Sequence, residues 1–196
     1  MKRATNQKTI KEYFDLEKDL VSKKYIIRYK IFDSTILMNI ALKNENPKLR
    51  ESAVKKIRDI DTLNRLINIS TDKNLKEYAR NTIKQLEKKK KIDIDIQKLW
   101  KKSLAHLKLK EIEQALEYYD PSTRKNYRKT FNELKEKDKL ATIAKDLQNI
   151  EPVVIEPGKW AKYRIKSKRT IKGKEMEITH YLYFQMTLFG WRIVRF

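Results

Sequence analysis

The chain has 196 residues, enough for one large domain or two small ones. Charged residues make up 37% and apolar residues 40%, with three glycines and four prolines, which excludes collagen-like, low-complexity and loop-dominated chains. Ten tyrosines, six phenylalanines and three tryptophans exclude a wholly disordered polymer, because such chains lack the apolar groups that offset ordering entropy.

Lys and Arg number 47 against 26 Asp and Glu, a formal charge of +21 that favours an anionic partner: nucleic acid, an acidic protein or an anionic membrane surface. Residues 1–91 hold 24 basic and 12 acidic side chains and residues 92–196 hold 23 and 14, so neither half is a dedicated basic arm. With no cysteine, disulfides, zinc–thiolate sites and cysteine nucleophiles are excluded. The basic opening is followed by Lys8, Lys11, Glu12 and Asp15 rather than an apolar core, so it does not read as a signal peptide. No stretch approaches the ~18 apolar residues of a membrane span. The chain as given reads as soluble and cytoplasmic; an exported protein stripped of its leader reads the same way.

Residues up to about 147 have helical periodicity. A first helix is expected over residues 10–21, with Ile10, Phe14, Leu16, Leu20 and Val21 as its stripe, and a second through Tyr25, Ile26, Ile27, Ile31 and Phe32. Asp33 or Ser34 can cap a third that carries Ile36, Leu37, Ile40, Ala41 and Leu42. A repeat of 26 residues begins here. Leu37, Ile40 and Ala41 map onto Leu63, Leu66 and Ile67, while Leu49, Ala53 and Ile57 map onto Leu75, Ala79 and Ile83. Asn46, followed by Pro47, and Asp72 share one phase, each able to accept from the free amides of a helix start. Amphipathic helix pairs of this kind bury their apolar faces by stacking on their neighbours.

Asn46, Pro47, Arg50 and Ala53, with Leu63, Leu66, Lys76 and Ala79 in the next copy, resemble HEAT-type repeats over residues 23–87. The resemblance implies a helical-repeat module with a groove for macromolecules, spanning residues 1–91. Lys88, Lys89, Lys90 and Lys91 form a run of like charge, so residues 87–95 are expected to be a linker or the solvated end of a helix.

Past this run, Asp95 can cap a helix carrying Ile96, Leu99, Trp100, Leu104 and Leu107, on which His106 sits exposed among lysines. A short helix over residues 110–119 ends at Asp120-Pro121, where another begins with Tyr127, Phe131 and Leu134; a last one covers residues 139–147. Near Pro152 the period changes from 3.6 to 2. Ala161, Tyr163, Ile165 and Ser167 alternate with Lys162, Arg164, Lys166 and Lys168, an antiparallel strand with one packed face and one wet face. A turn at Lys172-Gly173 leads to a second strand, in which Met176, Ile178, His180, Leu182, Phe184 and Met186 alternate with Glu177, Thr179, Tyr181, Tyr183, Gln185 and Thr187. Phe189-Gly190 makes a further turn into a closing strand over residues 191–196. The fold class is α+β: helices first, then an antiparallel sheet.

Residues 115–120 with Tyr127 and Phe131, then Ala161-Lys162-Tyr163, residues 181–184 and Gly190-Trp191-Arg192-Ile193 resemble the nuclear transport factor 2-like superfamily over about residues 95–196, within a second module expected to span residues 92–196. The resemblance implies a curved sheet wrapped round a helix as a cone, with a pocket at its mouth and an outer face that often forms dimers. Catalytic members place an Asp or His inside the cone. Here His180 has the inward phase, with Tyr118 and Trp160 as further pocket candidates, but no Asp or Glu shares its phase to orient it. No phosphate loop, nucleophile elbow or metal-binding motif occurs, Asp93 and Asp95 read as linker and cap, and neither metal nor cofactor is expected. The chain reads as a non-enzyme.

The candidate binding surface is the wet sheet face: Lys162, Arg164, Lys166 and Lys168 beside Tyr181 and Tyr183. Cations among aromatics suit an acidic protein partner or a homodimer through the sheet, and alternatively the phosphates and bases of nucleic acid. The expected function is a non-catalytic protein-binding or assembly module. A nucleic-acid-binding protein is the first alternative, and a small-molecule binder or enzyme around His180 the second.

Overall fold

A computed structural model describes residues 2–171 and 174–195, the side chains of residues 2–5, 168–171 and 174 excepted. Among these residues nine helices precede four strands, about 63% helix and 19% strand, so the fold is α+β in the expected order. The chain divides into two compact units, Met1–Glu87 and Lys88–Phe196. No described helix is long and apolar enough to cross a membrane.

The first unit contains α1 (Lys2–Leu16), α2 (Leu20–Tyr29), α3 (Ser34–Lys43), α4 (Pro47–Lys56), α5 (Ile60–Ile69) and the beginning of α6 (Lys73–Lys108). The single helix expected over residues 10–21 is instead broken. The Glu17 carboxylate accepts from the amides of Lys18 and Asp19 at 2.8 and 2.9 Å, and Asp19 then caps α2 by accepting from Ser22 N at 2.6 Å. Asp33, Asn46, Asp59 and Asp72 accept likewise from amides at the next four helix starts. Each such cap satisfies an amide that the helix itself leaves free.

The 26-residue spacing reappears in the helix starts: α3 to α5 runs from Ser34 to Ile60, and α4 to α6 from Pro47 to Lys73. The aligned positions Leu37, Ile40, Leu49 and Ala53 are buried, as are Leu63, Leu66, Leu75 and Ala79. Arg50 Nη2 lies 3.1 Å from Oδ2 of the half-buried Asp72, tying α4 to the cap of α6.

The second unit contains the rest of α6, then α7 (Ile112–Leu116), α8 (Pro121–Glu136), α9 (Leu140–Asp146), β1 (Glu151–Glu156), β2 (Trp160–Ile171), β3 (Lys174–Thr187) and β4 (Gly190–Arg195). The expected linker over residues 87–95 is helix, and Asp95 starts no new one. Lysine is a good helix former, and successive side chains fan out by about 100°, so four in a row do not crowd one face. Ile92 and Ile96 continue a buried row into Trp100, Leu104 and Leu107, which holds the helix to its own core. Asp93 is not linker either. It accepts from the Tyr163 hydroxyl at 2.7 Å, while Gln97 Nε2 donates to the Ile150 carbonyl at 2.9 Å.

The sheet is an antiparallel meander in the order β1-β2-β3-β4. Gly158 (φ +76°) and Gly190 (φ +94°) sit in its turns, where a side chain would strain the left-handed backbone. Tyr163 and Leu182 lie opposite each other across β2 and β3, both fully buried, with Ala161 opposite Phe184 in the same layer. Trp100 meets the Phe184 ring edge-on at 6.4 Å, and its Nε1 donates to the Leu147 carbonyl at 2.8 Å. The inward series fades along β3, where Met176 is half exposed. At β4, the amide of Ile193 donates to the Tyr118 carbonyl and its carbonyl accepts from Asp120 N, both at 2.9 Å. β1 carries Pro152 and a break in register between Pro152 and Val154.

Candidate functional site

The wet face of β2 and β3 is built by an unbroken ladder from Trp160 opposite Gln185 to Ile171 opposite Lys174. Because directly opposed residues share a face, Lys162 meets Tyr183, Arg164 meets Tyr181 and Lys166 meets Thr179. The expected alternation therefore assembles five of the six candidate residues on one surface. Lys168 is opposite Glu177 in the ladder, but its side chain lies outside the described residues, as does the turn expected at Lys172-Gly173.

Among the described side chains, Lys162, Arg164, Lys166 and Arg195 are each held by a neighbour. Lys162 Nζ lies 3.9 Å from the Tyr181 ring centroid and 5.4 Å from that of Tyr183. Arg195, opposite Tyr183 on β4, places Cζ 5.9 Å from the same ring. Exposed cation–ring contacts of this kind are each worth about 0.5–1 kcal/mol. Arg164 donates through Nε and Nη2 to Glu151 Oε2, both at 2.8 Å, and Lys166 donates to Glu177 at 2.8 Å. Those exposed ion pairs contribute about 0–1 kcal/mol each. Among the described residues, Lys162 and Arg195 have no acidic partner, so the face keeps a positive centre of cation and ring with neutralised flanks.

Trp160 belongs here rather than in a pocket. It shares the even phase of Lys162 and Arg164, and its side chain is 40% exposed, close to the 45% of Tyr181. The strand's own alternation carried that signal, and Arg195 could be found only from the β3–β4 register. The three pocket candidates do not converge. His180 is half buried on the inner face opposite Ile165, Trp160 lies on the outer face, and Tyr118 stacks on His106 at 6.0 Å. His106 is not an exposed histidine among lysines: Nδ1 lies 2.7 Å from Glu111 Oε2 and the ring is half covered.

Beneath the site, burial pushes the Tyr163 hydroxyl well above its ordinary value, and the negative charge of Asp93 adds to this. The hydroxyl therefore stays protonated as a donor to Asp93. Trp100, Tyr163 and Phe184 belong to the buried core on the inner side of the sheet. Compared with known proteins, the chain matches no family model, no curated protein and no solved structure.

Proposed function

We propose that this chain is a non-catalytic binding module that engages another protein through the outer sheet face. The observation that carries this reading is the cluster of Trp160, Tyr181 and Tyr183 interleaved with Lys162 on the unbroken β2–β3 ladder, with Arg195 joining Tyr183 from β4 beside a shift in the β3–β4 register. Aromatic and Arg side chains are the groups enriched at protein interfaces, and rings already flanked by cations lose little freedom on docking. The positive centre favours an acidic surface and speeds encounter more than it sets affinity. The 26-residue offset and the Arg50–Asp72 tie support a HEAT-like first unit. The helices preceding a meander whose inner face packs on Trp100 support a nuclear transport factor 2-like second unit.

The nucleic-acid alternative is weakened by Glu151 and Glu177, which occupy two of the face's cations. A photo-crosslinking residue in place of the exposed Gln185, in cells expressing the chain from its native gene, separates the readings. Discrete protein adducts that resist nuclease and vanish in the Tyr181→Ala, Tyr183→Ala variant are expected; adducts of the chain with itself identify the partner as a second copy. Nuclease-sensitive adducts, or none, overturn the proposal.

A further inference from the structure

The helical unit holds a basic pocket of about 360 Å3, well away in sequence from the sheet face. Its cations are Lys24 and Arg28 of α2, Lys55 and Lys56 of α4, and Arg58 just beyond α4, over the fully buried Ile27. Two of these heads are held by helix ends. Lys56 Nζ donates to the Arg28 carbonyl at 2.7 Å with the Phe32 ring centroid 4.5 Å away, and Arg58 Nη1 donates to the Lys55 carbonyl at 3.0 Å. Lys55 is paired with Glu51 one turn back. Among the described residues no other acid forms an ion pair with any of the five. Burial, and then the like charges of Arg58 and Arg28, hold the Lys56 ammonium below its ordinary value. Positive charge is thus concentrated in a concavity, with part of its geometry set before anything binds.

We propose that this pocket is a phosphate-binding site that receives a phosphorylated side chain of a partner protein. Guanidinium forks match phosphate oxygens two at a time, and ammonium groups add point charge around them. A dianion placed among Arg28, Arg58 and Lys56 relieves their mutual repulsion. Recognition of phosphorylated motifs by Arg clusters works in this way. Nucleic acid fits less well, since its affinity accumulates over phosphates spaced along a groove, whereas these five side chains surround one small volume. The proposal rests on the protein-binding reading only for what carries the phosphate.

The test uses the full chain. Inorganic phosphate is titrated while the Arg and Lys side-chain nitrogen signals are followed by NMR, with chloride at equal ionic strength as control. Peptides of degenerate sequence round a central phosphoserine, their unphosphorylated counterparts and a single-stranded oligonucleotide are then compared by anisotropy. Saturable shifts at Lys56 and Arg58 that chloride does not reproduce are expected, together with at least tenfold tighter binding of the phosphorylated peptides. The Arg28→Gln, Arg58→Gln variant should lose that preference with unchanged helical circular dichroism. Should it unfold, Lys24→Gln, which breaks none of the ties above, should still weaken the phosphopeptide about threefold. The absence of saturable shifts, or an unweakened Lys24→Gln, overturns the site. Phosphate binding without a phosphopeptide preference overturns the proposal while leaving the sheet-face reading intact. An oligonucleotide that displaces phosphate with a salt slope of several released ions assigns the pocket to nucleic acid instead.

Discussion

One strand, β2, supports two surfaces with different physics. Its odd residues Ala161, Tyr163 and Ile165 are buried against α6 and β3, while its even residues Trp160, Lys162, Arg164 and Lys166 meet water, rings and acids. On the inner face, energy comes from apolar area removed from water and from close packing, so each truncation leaves a hole. On the outer face each contact is worth about 1 kcal/mol or less, so the same backbone can carry recognition at little risk to folding. The difference teaches where stability and binding can be changed separately.

The sharpest way to break this contrast is Trp100→Ala. It removes a fully buried indole that touches Phe184 and frees the Leu147 carbonyl it satisfies, so a loss of about 3–5 kcal/mol in urea unfolding is expected. A variant within 1 kcal/mol of the parent would mean that the inner face is not the core. Leu182→Ala, opposite Tyr163, should cost about 2–5 kcal/mol in the same measurement. Tyr163→Phe keeps the ring and removes only the donor to Asp93. About 1–3 kcal/mol is expected, and a neutral result would show that Gln97, 3.4 Å from Asp93, suffices alone.

Across the sheet, Lys162→Ala should change stability by less than about 1 kcal/mol, and a double-mutant cycle with Tyr181→Ala should give a coupling near 0.5 kcal/mol. Coupling above 2 kcal/mol would turn the outer face into a structural one. The smallest effect lies on neither face. The Asp120 carboxyl is held below its ordinary value of 3.8 by the Ser122 hydroxyl and amide. Because this pKa is lowered by folding, its stabilisation is present above that ordinary value and is lost as pH falls through the folded one. Asp120→Asn keeps the cap, so its unfolding midpoint should match the parent's at pH 7 and fall less between pH 5 and pH 2.5.

Much of this was legible in residue order, for a physical reason. Burial follows the side-chain period, so Leu37, Ile40, Leu63 and Leu66 announced their helices, and the alternation from Ala161 to Ser167 announced both faces of β2. The caps Asp33, Asn46 and Asp120 were equally readable, because a short acceptor beside a free amide acts locally. What escaped depended on distant residues. Whether lysines 88–91 end a helix or continue it is decided by the burial of Ile92 and Ile96 on either side of Asp93, which itself meets Tyr163 seventy positions away. β1 carries one buried residue, Ile155, too weak a period to read, and the place of Arg195 required the β3–β4 register.

The borders of the sheet carry a last consequence. On one side a proline and a slipped register interrupt β1, and on the other the amide and carbonyl of Ile193 are already taken by Tyr118 and Asp120. Neither border offers a clean template for an added strand, which guards the chain against fibrillar self-stacking. A molecule that engaged this sheet would lie across the meander instead of extending it.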